Sequence, residues 1–72
     1  MAFPFDPSAS TLWVLSREET ISSCEVRFVP GGVQIEVTRN RKLLWSRIFE
    51  AGDQALREAE EEKQRMVNDG WE

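Results

Sequence analysis

Of the side-chain types that usually carry chemistry, the sequence offers one cysteine, a run of three carboxylates, a glycine pair and a scatter of arginines. It has no histidine, which removes the usual catalytic triad and any imidazole-ligated metal. Cys24 alternates with Val26 and Phe28 in a strand-like pattern, and apolar surroundings raise a thiol's pKa and quench its reactivity. Glu60, Glu61 and Glu62 are consecutive, so on a helix they point about 100° apart and cannot converge on one cation. Gly31-Gly32 is followed by no Lys–Ser/Thr pair and no helix, so it is turn chemistry and not a phosphate loop. No enzymatic activity, cofactor or metal is expected.

What remains is binding. Leu43, Trp45 and Arg47 alternate within one strand-like run, and an aromatic beside guanidinium groups is the usual composition of an interface anchor. The same grouping can stack on a nucleic-acid strand. Arg39, Arg41 and Lys42 cluster near a turn, where a basic hairpin can reach phosphates. Lys63 falls near the middle of an apolar helix stripe, where its stem can cover apolar surface while the ammonium reaches water.

These residues need elements to hold them. Four short runs rich in β-branched and aromatic residues predict strands over 12–16, 21–29, 33–39 and 42–49. Gly31-Gly32 can take the positive φ of a tight hairpin, and Asn40 tolerates the left-handed region. Alternation places Trp13, Leu15, Cys24, Val26, Phe28, Val33, Ile35, Val37, Leu44, Ser46 and Ile48 on an inner face. The outer face then receives Leu12, Val14, Glu25, Arg27, Gln34, Glu36, Thr38, Leu43, Trp45 and Arg47. A helix is predicted over 53–69, with Asp53 as N-cap and Gly70 as terminator. Its apolar stripe is Ala55, Leu56, Ala59, Met66 and Val67; Arg57, Glu58, Glu61 and Arg65 lie opposite, at spacings that favour Arg57–Glu61 and Glu61–Arg65 pairs. Trp71 sits where a residue folds back on the last turn. The fold class is α+β: an antiparallel meander of three to four strands with one C-terminal helix across one face. Residues 1–10 form an N-terminal arm and 11–72 a single ββββα domain, and Phe3 and Phe5 of the arm are candidates to cover Trp45.

Composition narrows the setting. At 72 residues, the chain lies near the lower limit for folding without metal or disulfide help, which makes self-association a live outcome. A lone cysteine cannot form an internal disulfide and favours a reducing compartment. The longest apolar run is Leu12 to Leu15, far short of the about 20 residues of a membrane span, and the first residues lack the basic and apolar regions of a signal peptide. A cytoplasmic location is expected. The net charge of −4 is uneven: residues 11–47 carry six bases against four acids, and residues 50–72 carry eight acids against three bases.

The runs Leu12-Trp13-Val14-Leu15-Ser16-Arg17 and Leu43-Leu44-Trp45-Ser46-Arg47-Ile48-Phe49, with the Ala/Glu-rich helix ending Gly70-Trp71, resemble a family of small bacterial proteins of unknown function. The likeness spans about residues 11–71 and implies no activity. Residues 21–68, three strands, an aromatic and a helix starting near Ala55, are similar in order to the arm-site DNA-binding domains of phage-type integrases and to plant AP2-type domains. That resemblance implies a sheet entering the major groove, and the acidic helix departs from it. The sequence therefore supports a non-enzymatic interaction module binding a protein partner through the outer sheet face, at Trp45, Arg47, Leu43, Arg27 and Glu36. A nucleic-acid module using the same face with Arg39, Arg41 and Lys42, and a homodimer through the outer faces, are the alternatives.

Overall fold

The structure, a computed structural model, describes residues 9–72. Its elements are β1 (Ala9–Arg17), β2 (Thr20–Val29), β3 (Gly32–Arg39), β4 (Lys42–Phe49) and α1 (Gly52–Asn68). The strands form one antiparallel sheet in the order β1-β2-β3-β4, and α1 packs across one face against β3 and β4. This is the expected α+β meander, with β1 starting at Ala9, inside the segment assigned to the arm. The reading of Phe3 and Phe5 as a cover for Trp45 lies outside the described residues.

Each hairpin turns in two residues. Glu18 opens the β1–β2 turn at φ 58°. Pro30-Gly31 closes β2–β3, with Gly31 at φ 96°, the residue order a type II turn favours. Asn40 and Arg41 make the β3–β4 turn with both φ positive, at 52° and 69°, the pattern of a type I′ hairpin. Asn40 is held from both sides: its N–H donates to the Ile21 carbonyl at 2.8 Å, and its Oδ1 accepts from the Ile21 N–H at 3.1 Å. Gly32 is required for space as well as for its φ of 148°, because a Cβ there would stand 1.9 Å from the Phe49 carbonyl oxygen.

Two register shifts decide the faces. In β1 the shift lies between Thr11 and Trp13, so Leu12 is the extra residue and Trp13 and Leu15 point inward beside Cys24 and Ser22. In β3–β4, Thr38 pairs with Leu43 but Val37 pairs with Trp45, so Leu44 is the extra residue of a bulge. The bulge reverses the faces expected for the rest of β4. Trp45, Arg47 and Phe49 stand opposite the buried Val37, Ile35 and Val33, on the helix side, while Ser46 and Ile48 face outward.

The helix begins one residue before the expected start. Ala51 is its N-cap, without a side-chain capping bond, and Asp53 sits in the first turn, where its charge complements the helix dipole. The other end has the two bonds of a Schellman motif: the Trp71 N–H donates to Met66 O at 3.0 Å and the Gly70 N–H to Val67 O at 3.1 Å, with Gly70 at φ 99°. Trp71 thereby folds back into the core. Glu72 and Ser16 then exchange both backbone hydrogen bonds, at 2.7 and 2.9 Å, tying the chain's end to the outer edge of β1.

The core joins Trp13, Leu15, Cys24, Val33, Ile35 and Val37 of the sheet to Ala55, Ala59 and Met66 of α1 and to Trp71, with Val26, Trp45 and Phe49 packed at its margin. The buried helix stripe is narrower than expected, and Leu56 and Val67 stay exposed on its flank. Arg65 reaches Glu62 at 2.6 Å, three residues back, in place of the expected partner Glu61. Ala59 is 2% exposed, and its carbonyl oxygen accepts the Trp13 indole N–H at 3.0 Å. Ala59→Glu is accordingly expected to lower the thermal midpoint far more than Arg57→Glu, by an energy of several kcal/mol, because it forces a charge into that contact. Equal midpoints in thermal unfolding would place a different helix face on the sheet.

Candidate functional site

The domain measures 35 × 33 × 15 Å, which is the depth of one sheet and one helix. Among the described residues nothing covers the sheet face opposite α1, and that face is the candidate site. Alternation from the buried positions places Val14 and Ser16 of β1, Ile21, Ser23, Glu25 and Arg27 of β2, Gln34, Glu36 and Thr38 of β3, and Leu43, Ser46 and Ile48 of β4 on it.

The middle of this face is polar and internally paired. Glu25 and Glu36 are directly opposite in the β2–β3 ladder, a repulsive placement that the Arg27 guanidinium relieves by an ion pair to Glu36 at 2.9 Å. One row further on, the Ser23 and Thr38 hydroxyls share a hydrogen bond of 2.8 Å. Apolar side chains stand around that centre, with Val14, Ile21, Leu43 and Ile48 each more than half exposed. A shallow hollow of about 300 Å³ opens where Ile21, Ser23, Thr38, Asn40 and Arg41 meet.

Three of the five predicted binding residues therefore share the outer face: Leu43, Arg27 and Glu36. Trp45 and Arg47 do not, and the correction follows from the Leu44 bulge. Trp45 is partly buried against the core, and the Arg47 guanidinium lies 4.9 Å from the centre of the Phe49 ring on the helix side. Ser46 takes the outer position opposite Glu36 that Trp45 was expected to hold, and Ile48 the one opposite Gln34 expected for Arg47; only the bulge, which the adjacent leucines Leu43-Leu44 conceal, distinguishes the two patterns.

The basic hairpin is likewise divided. Arg39 turns to the helix side, its guanidinium 4.8 Å from the centre of the Trp71 ring, while Arg41 and Lys42 are exposed at the turn. Close by, Arg17 and Asp69 pair at 3.0 Å. On the inner face, Phe28 is 81% exposed although Val33, its partner in the ladder, is buried, because the helix crosses away from that corner.

Cys24 has no exposed surface, and burial, with help from the charges of Glu25 and Glu62, pushes its thiol from 9.0 up to about 12. That is a packing residue and not a nucleophile. Ser22, also fully buried, donates its hydroxyl to the Thr38 carbonyl at 2.7 Å. Among the described residues, no cluster of three His, Cys, Asp or Glu side chains could hold a metal, and no helix is long and apolar enough to cross a membrane. Comparison with family models, with curated proteins and with solved structures gives no match.

Two outcomes follow from the geometry. Trp45→Ala should lower folding stability by about 2 kcal/mol, since a partly buried aromatic at the core margin is lost; denaturant unfolding reads this, and an unchanged midpoint would return Trp45 to the outer face. Cys24 should make the protein sensitive to alkali. Below pH 9 the thiol is protonated in both states and its contribution is intact. Above pH 9 the unfolded chain releases the proton first, so stability falls as pH rises towards 12. The fall in midpoint over that interval should be smaller in Cys24→Ala than in the wild type, and parallel curves would contradict the burial of the thiol.

Proposed function

We propose that the chain is a non-enzymatic interaction module that receives a protein partner on its outer sheet face. The observation that carries this is one surface: a four-stranded face left open among the described residues, with half-exposed Val14, Ile21, Leu43 and Ile48 around the Arg27–Glu36 pair. A monomer gains nothing from exposing branched aliphatic side chains on β1, β2 and β4, whereas a partner that covers them removes apolar area from water. The polar centre supplies orientation, since Glu25, Arg27 and Glu36 offer both signs of charge to a complementary surface.

Nucleic acid is the second reading, and Arg41 is the observation that favours it. This exposed arginine is held at φ 69°, a conformation better suited to glycine, at the rim of the outer-face hollow. Against it, the outer face has Arg27 and Arg41 but also Glu25 and Glu36, while Arg39 and Arg47 are turned to the helix side.

The test is a pull-down from the lysate of the source cell, with and without nuclease, comparing the wild type with Leu43→Glu. A protein captured by the wild type should survive nuclease. Leu43→Glu should weaken its capture by about tenfold or more while leaving the thermal midpoint unchanged. A bound fraction that disappears with nuclease, and that is weakened by Arg41→Gly, would transfer the face to nucleic acid.

A further inference from the structure

The two edges of the sheet are not equivalent. The β1 edge is interrupted at Leu12 by a register shift and tied at Ser16 by the reciprocal bonds to Glu72. The β4 edge carries Lys42 at its start and the bulge at Leu44, but from Trp45 to Phe49 its ladder is unbroken and contains no proline, and among the described residues no strand lies beyond it. Its eight residues include Leu43, Leu44, Trp45, Ile48 and Phe49, none of them fully buried. Unpaired N–H and C=O groups along a hydrophobic edge are a template for another strand.

We propose that this edge pairs with the β4 edge of a second copy, antiparallel, about a two-fold axis through Ser46. The sequence of β4 selects that register. Centred on Ser46, Trp45 of each copy stands opposite Arg47 of the other on the helix side, and Leu44 stands opposite Ile48 on the outer side. Each pair joins like surfaces or an aromatic to a guanidinium, and a serine occupies the axis. Centring on Arg47 sets two guanidiniums against each other, and centring on Trp45 sets Ile48 opposite the cation of Lys42, beyond the bulge. The bulge at Leu44 limits the pairing to Leu44–Ile48, five residues from each chain.

The helix side is shaped for this arrangement. A hollow of about 250 Å³, lined by Arg47, Phe49, Gln54, Arg57 and Glu58, lies between α1 and the free edge. In the Ser46 register, Trp45 of the second copy arrives opposite Arg47 at the mouth of that hollow. The axis is perpendicular to the sheet, so both helices lie on one side of a continuous eight-stranded sheet and the two outer faces merge on the other. The pairing stands independently of what the outer face binds.

Sedimentation equilibrium of the wild type should give about twice 8.3 kDa at tens of micromolar protein, with a thermal midpoint that rises with concentration. Ser46→Lys, at an exposed position, should keep the fold and weaken self-association by about tenfold or more. Ser46→Cys should form a disulfide-linked dimer on mild oxidation, since directly opposite positions meet the bond's distance requirement. Ile48→Cys should not, being opposite Leu44 and not itself. A wild type that stays monomeric, a dimer that crosslinks equally well through Ile48→Cys, or one abolished by Val14→Lys but not by Ser46→Lys would each overturn the proposal.

Discussion

The indole N–H of Trp13, donating to the Ala59 carbonyl at 3.0 Å, sets how closely the helix and the sheet approach. A buried indole must find an acceptor or bear the cost of an unmade hydrogen bond, and its ring must also be packed. A helix backbone meets both needs only where its own side chains are small. Ala55 and Ala59 provide that opening, one turn apart on the same stripe. With the helix seated there, Met66 and the folded-back Trp71 reach the core, and Glu72 reaches Ser16. The clamp therefore runs from mid-helix to the last residue and crosses the sheet diagonally.

That diagonal accounts for what is left uncovered. One helix cannot shield a four-stranded sheet, so among the described residues the corner at Phe28 stays open on the helix side and the opposite face stays open on the other. The polar centre of that face is a consequence of the ladder. Glu25 opposite Glu36 would repel, and Arg27 turns the repulsion into a paired cluster. A sheet face with aliphatics at its margins and paired charges in its middle is wetted at the centre and unsatisfied around it. Such a surface suits a partner that brings its own polar groups.

Much of this was legible in the residues. Val33, Ile35 and Val37 alternate cleanly, Gly31 and Asn40 mark turns by their tolerance of positive φ, and Gly70 followed by Trp71 announces a helix end. The faces of β4 were not legible, for an identifiable reason. Leu44/Ile48 and Trp45/Phe49 are both apolar alternating pairs, so periodicity alone ranks them equally. The choice depends on a bulge, which lets Trp45 and Phe49 bury more apolar area against the core at the cost of one ladder pair. The wide helix stripe failed similarly. Leu56 and Val67 belong to the apolar arc at 100° per residue, but only the residues nearest its centre touch a sheet set close by two alanines.

The site depends on the same competition. Had β4 kept an unshifted register, Trp45 and Arg47 would crown the outer face and Leu44, Ser46 and Ile48 would fill the core margin. The bulge exchanges an aromatic anchor on the outer face for an aliphatic one, Ile48, and moves the aromatic–guanidinium pair to the free edge beside the helix. A domain this small has roughly 3–5 kcal/mol of net stability to distribute, so filling its own core with Trp45 takes precedence over displaying it. What the fold then exposes is its remainder: aliphatics on a flat face, and a basic aromatic strand at the edge. The one register shift at Leu44 thus leaves two surfaces of different chemistry on one small sheet, an aliphatic-rimmed face and a basic aromatic edge.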